Sequence, residues 1–112
     1  MSKCLLLLAG IFAIAVATTT VYDLDNFAGL SYVVSGEDKN CVNIPTSWWG
    51  RVSSIRSDAY CLLLFPYYNC SGTEVMLNGY PGFTRRANAE KLSDRDFNDK
   101  LKSLRFCHLR KD

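Results

Sequence analysis

The chain has 112 residues, 48% of them hydrophobic, and a formal net charge of +2 at pH 7. That length admits one domain and excludes two, and a charge so near balance singles out no class of partner. The N-terminus reads as a secretory leader. Lys3 gives a positive start, Cys4 to Val16 is almost wholly apolar, and Ala15-Val16-Ala17 is a small-x-small cleavage site. A signal peptide over 1–17 predicts a secreted, extracellular mature chain of roughly 95 residues beginning at Thr18. A membrane anchor needs about 20 apolar residues, and Thr18-Thr19-Thr20 interrupts the run too early.

A domain of that size buries only about two-thirds of its unfolded surface, so its core alone is marginal. Of the five cysteines, Cys4 leaves with the leader and Cys41, Cys61, Cys70 and Cys107 remain. Four cysteines in a small secreted chain read as two disulfides, with three connectivities open. A metal site on these cysteines is the alternative, but no pair has C-x-x-C spacing and the only histidine is His108, so disulfides are expected. Charge is unevenly spread. From Thr18 to Phe83, Lys39, Arg51 and Arg56 face six acids, whereas Thr84 to Lys111 carries nine bases and four acids. The C-terminal end is therefore basic and able to dwell on anionic surfaces.

In chain order, Thr19-Thr20-Val21-Tyr22 is β-branched and aromatic, a strand start. Asp25-Asn26 and Ala28-Gly29 are turn chemistry, and Ser31-Tyr32-Val33-Val34 resumes a strand, giving a hairpin. Gly36 to Asn40 is a polar turn. Cys41-Val42-Asn43-Ile44 alternates as a third strand, which Pro45-Thr46-Ser47 stops. Val52 to Ile55 supplies the fourth. Cys61 to Phe65 is a continuous apolar run suited to a strand with little solvent on either face. Pro66 to Gly72 turns, Thr73 to Leu77 alternates, and Asn78 to Gly82 breaks. Thr84 to Asp96 is polar; Arg85 to Leu92 makes either a helical turn or a short irregular strand. Leu101 to Phe106 is the last strand, ending at Cys107. The fold class is all-β, an eight-stranded β-sandwich of two four-strand units.

Two motifs recur. Trp48-Trp49-Gly50-Arg51-Val52-Ser53-Ser54-Ile55-Arg56 returns 49 positions later as Phe97-Asn98-Asp99-Lys100-Leu101-Lys102-Ser103-Leu104-Arg105. Upstream of each copy, Tyr22-x4-Phe27-x-Gly29 is answered by Phe65-x4-Cys70-x-Gly72. A fixed-offset repeat with the same order of motifs in both halves sets the architecture.

These residues resemble the βγ-crystallin superfamily of double Greek-key domains, in its single-domain, secreted, microbial type. That family opens each key with aromatic-x4-aromatic-x-Gly, matched fully by Tyr22, Phe27 and Gly29, and by Phe65 and Gly72 with Cys70 in place of the second aromatic. It closes each key with (Asn/Asp)-(Asn/Asp)-x-x-(Ser/Thr)-Ser, a calcium motif. The resemblance implies one domain over 18–112, with a first Greek key at about 18–58 and a second at about 60–112. It also implies one weak calcium site built on Asn98 and Asp99, with Ser53 reaching across from the other key. Two departures disable the partner site. Trp49 and Gly50 occupy the Asn/Asp places of the first copy, and Lys102 stands where a hydroxyl belongs in the second. The family's strand order puts Cys41 near Cys107 and leaves Cys61 with Cys70, a Cys61–Cys107 link being the alternative.

Other residues weigh less. Trp48 is expected in the core and Trp49 more exposed, since neighbours in extended chain point opposite ways. Trp49, Tyr67 and Tyr68 are candidate contact residues. Asn69-Cys70-Ser71 satisfies the glycosylation sequon formally, with a disulfide cysteine in its middle. His108 has no nucleophile at catalytic spacing, and a polar arch accounts for Asp94, Asp96 and Asp99 without a glycosidase pair, so no enzyme is expected. The resemblance includes secreted toxins acting on fungal cells and a metalloprotease inhibitor. The expected function is a defence or toxin-type binding protein meeting an anionic surface or wall. A protease inhibitor presenting a loop around Arg85-Arg86, or a purely structural calcium-binding module, is the alternative. A monomer is expected, with no nucleic-acid partner and no transmembrane segment in the mature chain.

Overall fold

The β-branched run around Thr19-Thr20-Val21 becomes a long strand that begins at Val16. In β1 (Val16–Leu24), Ala17, Thr19 and Val21 turn inward and are buried, while Val16 and Thr18 face solvent, the two-residue period of a half-buried strand. β1 pairs antiparallel with β2 (Ala28–Glu37), from Val16 opposite Glu37 to Leu24 opposite Ala28. On its other edge β1 pairs with β4 (Ser54–Ser57), completing a three-stranded sheet ordered β2-β1-β4. The computed structural model describes residues 16–78 and 85–108. All of the expected leader but Val16 and Ala17, which belong to β1, and most of the expected break at Asn78 to Gly82 therefore lie outside the described residues.

The second sheet takes one strand from the first half of the chain. β3 (Cys41–Asn43) crosses over to pair with β7 (Ser103–His108), and β5 (Cys61–Phe65) and β6 (Val75–Asn78) complete the order β3-β7-β5-β6. The apolar run of β5 is buried at Cys61, Leu62, Leu64 and Phe65 and half-buried at Leu63, as a central strand covered on both faces requires. Between the sheets lie Val21, Val34 and Ile55 from one and Leu62, Leu64, Leu77, Leu104 and Phe106 from the other, each 4% exposed or less. Ile44, Val52, Leu92 and Leu101 close the ends of this core. At about 1.5–3 kcal/mol per buried large side chain, it is the dominant stabilising term.

Two expectations are corrected. Seven strands, not eight, form among the described residues. The eighth position is held by a single bridge, Ile55 opposite Ala89, with bonds in both directions at 2.9 and 2.8 Å. Ala87 N–H to Ala59 carbonyl and Leu92 N–H to Ser53 carbonyl flank that bridge. The segment reciprocates the crossover of β3, but its two buried positions are alanines, and a 3-10 turn at Leu92–Arg95 ends it. Small side chains and an early turn leave too few consecutive pairs for a strand.

The disulfides are Cys41–Cys70 and Cys61–Cys107, so the preferred 41–107 and 61–70 pairing is wrong and the alternative 61–107 link is present. Register explains the outcome. Cys41 lies opposite Arg105, two residues short of Cys107. Cys61 lies opposite His108, at an irregularity that puts Leu62 opposite Phe106, and its Cα comes within 5.1 Å of that of Cys107. Cys41 is then bridged by Cys70, whose turn is tied to β3 through Asn69 N–H and the Asn43 side-chain oxygen, 2.8 Å.

Candidate functional site

Each half of the chain builds the same corner. Asn26 and Phe27 in the first, and Asn69 and Cys70 in the second, all take left-handed backbone angles, as do Gly29 and Gly72 two residues on. Glycine is required at the last place: a Cβ at Gly29 would lie 2.1 Å from Asp23 Oδ1, and one at Gly72 2.7 Å from the Tyr67 ring. A serine locks each corner. Ser54 Oγ accepts from Phe27 N–H at 3.0 Å and donates to the Leu24 carbonyl at 2.6 Å. Ser103 Oγ accepts from Cys70 N–H at 2.9 Å and donates to the Tyr67 carbonyl at 2.6 Å. Cys70 therefore keeps the corner conformation of the aromatic it replaces and adds a disulfide to it.

The arches after the repeated aromatic also match in backbone. Arg51 N–H reaches the Trp48 carbonyl and Lys100 N–H the Phe97 carbonyl, both at 3.3 Å. Gly50 and Asp99, equivalent by the repeat, are both left-handed, with φ of 73° and 61°. Asp is among the few non-glycine residues that tolerate that conformation. Asp99 thus has a conformational reason to be where it is.

The expected calcium residues fall around two clefts. Ser53 and Asn98 line one together with Leu24, Asp25 and Ser93. Asp99 lines the other, with Lys100, Lys102, Asp96 and Tyr67 among its walls. Asp25 was not anticipated: a lone aspartate in a turn reads as turn chemistry, and only the folded corner carries it to Ser53 and Asn98. Asp25, Asn98, Ser53 and Ser93 are hard oxygen donors with one carboxylate among them, a set that suits calcium weakly. Among the described residues, no group of three His, Cys, Asp or Glu gathers at one point.

The aromatic candidates cluster at the second corner. Trp48 is buried, with Arg51 over its ring at 4.7 Å. Trp49 is half-buried, meets Tyr68 edge-on at 4.8 Å, and has Lys102 Nζ 4.6 Å from its ring centroid. Tyr67 is 60% exposed. Asn69, in the formal sequon, accepts from the Asn43 side-chain amide at 3.1 Å.

A third cleft, of about 710 Å³, is basic. Arg85, Arg86, Lys91 and Arg95 line it with Phe27, Tyr60, Asn88, Glu90 and Asp94. Arg86 stacks over Tyr60 at 4.6 Å and donates through Nη1 to the Asp58 carbonyl. At its edge Arg56 stacks over Phe27 at 4.2 Å. The one ion pair among the described residues is elsewhere, Arg51 with Asp23 at 3.4 Å. Arg86 is thus oriented by a ring and a carbonyl and Arg95 by the Met76 carbonyl. None of the four cations is within ion-pair distance of a carboxylate among the described residues, although Glu90 and Asp94 share the lining.

No family model matches the chain, and no curated protein matches it in sequence. Solved structures do. A βγ-crystallin from an archaeon is 18% identical with a TM-score of 0.62, covering 80% of this chain and 96% of its own. A βγ-crystallin domain from Flavobacterium johnsoniae is 22% identical with a TM-score of 0.56, covering 78% and 90%. The βγ-crystallin of Ciona intestinalis is 16% identical with a TM-score of 0.59, covering 80% and 98%. With the crossover of β3, the reciprocal bridge at Ala89 and the paired serine-locked corners, these similarities assign the chain the βγ-crystallin fold. Among the described residues no helix is long and apolar enough to cross a membrane.

Proposed function

We propose that this chain is a secreted, non-enzymatic βγ-crystallin-like binding module that acts outside the cell, in defence or competition, by contact with an anionic wall or membrane. The carrying observation is the basic cleft. Four cations line it without a carboxylate in ion-pair range, so its field is available to an outside polyanion. Two disulfides accord with an oxidising exterior. Arg86, bound back on Tyr60 and Asp58, favours a rigid electrostatic surface over a protruding inhibitory loop around Arg85-Arg86. A panel of fungi and bacteria grown with the purified mature protein tests this reading. Growth inhibition that fades as salt rises supports it; inertness towards every strain, with stoichiometric block of a protease instead, sinks it.

Calcium enters as a stabiliser of the same module. Asp25, Asn98 and Ser53 would hold the ion, which would tie the first corner to the second arch across the sandwich. The clustering of these three around one cleft supports that assignment.

A further inference from the structure

Positions related by the internal repeat surround two equivalent arches. Around one stand Leu24, Asp25, Ser53 and Asn98; the equivalent places of the other hold Tyr67, Tyr68, Lys102 and Trp49. Three oxygen-donor positions of the first, Asp25, Ser53 and Asn98, carry an aromatic ring or an ammonium in the second. The exchange is concerted, because the replacements touch one another. Lys102 Nζ lies 4.6 Å from the Trp49 ring centroid and 5.8 Å from that of Tyr67, while Tyr68 meets Trp49 at 81°. Asp96 and Asp99 line the neighbouring cleft, yet neither comes within ion-pair distance of Lys102. The lysine backbone is fixed on both sides, by Lys102 N–H to the Phe65 carbonyl and Ile44 N–H to the Lys102 carbonyl, both 3.0 Å. The Trp49 indole N–H is buried without a partner among the described residues, so ring packing, not a hydrogen bond, holds the indole in place.

We propose that Lys102 is an internal cation. Its ammonium fills, against the π faces of Trp49 and Tyr67, the arch whose counterpart in the other half offers oxygens to an outside ion. An ammonium within about 6 Å of a tryptophan face is attracted by the ring quadrupole, more strongly where water is partly excluded. Because the cation is tethered by its own side chain, the arch is occupied at all solute concentrations. The arch at Trp49 is then indifferent to calcium and to chelators, whether or not the cleft at Asn98 binds metal, and the fold keeps half of its cation-supported corners in calcium-poor surroundings.

Two substitutions in the full mature protein test this. Lys102→Met keeps the apolar stem and removes the charge; Lys102→Arg keeps a charge that stacks on rings. Lys102→Met lowers the melting temperature by roughly 3–10 °C and shifts the tryptophan emission, equally in calcium and in chelator. Lys102→Arg recovers at least about half of that loss. In a Trp49→Leu background the cost of Lys102→Met falls to about a third or less, the signature of a direct pair. A Lys102→Met protein as stable as the parent, a loss undiminished by Trp49→Leu, or a loss seen only in calcium overturns the proposal.

Discussion

Ser54 and Ser103, 49 residues apart, make the same two hydrogen bonds: each accepts from a corner N–H and donates to a corner carbonyl. The pair makes the repeat a statement about structure, since each serine ties the last strand of its half to the corner after the first strand. Both serines are fully buried. Replacing either by alanine strands a part-buried N–H and a part-buried carbonyl, which costs about 1–2 kcal/mol. Thermal melts of Ser54→Ala and Ser103→Ala are expected to show drops of similar size. A loss confined to one of them would show that the corners are not equivalent.

The disulfides carry an expectation about order of importance. The Cys61–Cys107 link spans 46 residues and the Cys41–Cys70 link 29, worth about 4 and about 3.5 kcal/mol respectively in the chain-entropy model. Peptide mapping of the oxidised protein should recover these two pairs. Replacing Cys61 and Cys107 together by serine should destabilise at least as much as replacing Cys41 and Cys70, because it also puts polar groups at a buried end of β5.

Calcium binding separates two carboxylates. At free calcium about ten times the dissociation constant, one site stabilises by about 1.4 kcal/mol, raising the melting temperature by roughly 5–10 °C. Asp25→Asn and Asn98→Ala are expected to abolish that shift. Asp99→Gly is expected to keep it and to cost little, because Gly50 already occupies the equivalent left-handed position. Loss of the shift in Asp99→Gly with retention in Asp25→Asn would restore Asp99 as the ligand.

Much of the fold was legible in the residues. The recurring aromatic-glycine corner and the second motif located both halves, and β-branched runs, one continuous apolar run and two alternating runs located every sheet segment but one. The exception, Ala87 to Leu92, has the right buried period but no β-branched side chain, so its pairing with β4 rests on tertiary backbone bonds that no local pattern announces. Disulfide pairing was illegible for a related reason. β7 lies between β3 and β5, so Cys41 and Cys61 both approach Cys107, and only the irregular register at Cys61 decides between them. The site was half legible. Ser53 and Asn98 stand in a motif, whereas Asp25 and the Lys102–Trp49 contact depend on which corner meets which arch. Trp49 was expected to be more exposed than Trp48, and it is; that Lys102 and Tyr68 cover it could not be read from the chain.

The basic cleft bears the central claim, and its affinity for an anionic surface tests that claim most directly. Purified mature protein is equilibrated with vesicles of mixed anionic and zwitterionic lipid, and the bound fraction is measured by sedimentation as salt is raised. Each arginine near an anionic surface contributes about 1 kcal/mol, so Arg85→Ala with Arg86→Ala should weaken binding roughly 30-fold at low salt. Binding by the parent should fall steeply as the screening length shortens, and purely zwitterionic vesicles should bind neither protein. Equal binding of parent and double variant, or binding to anionic vesicles that ignores salt, would contradict the account.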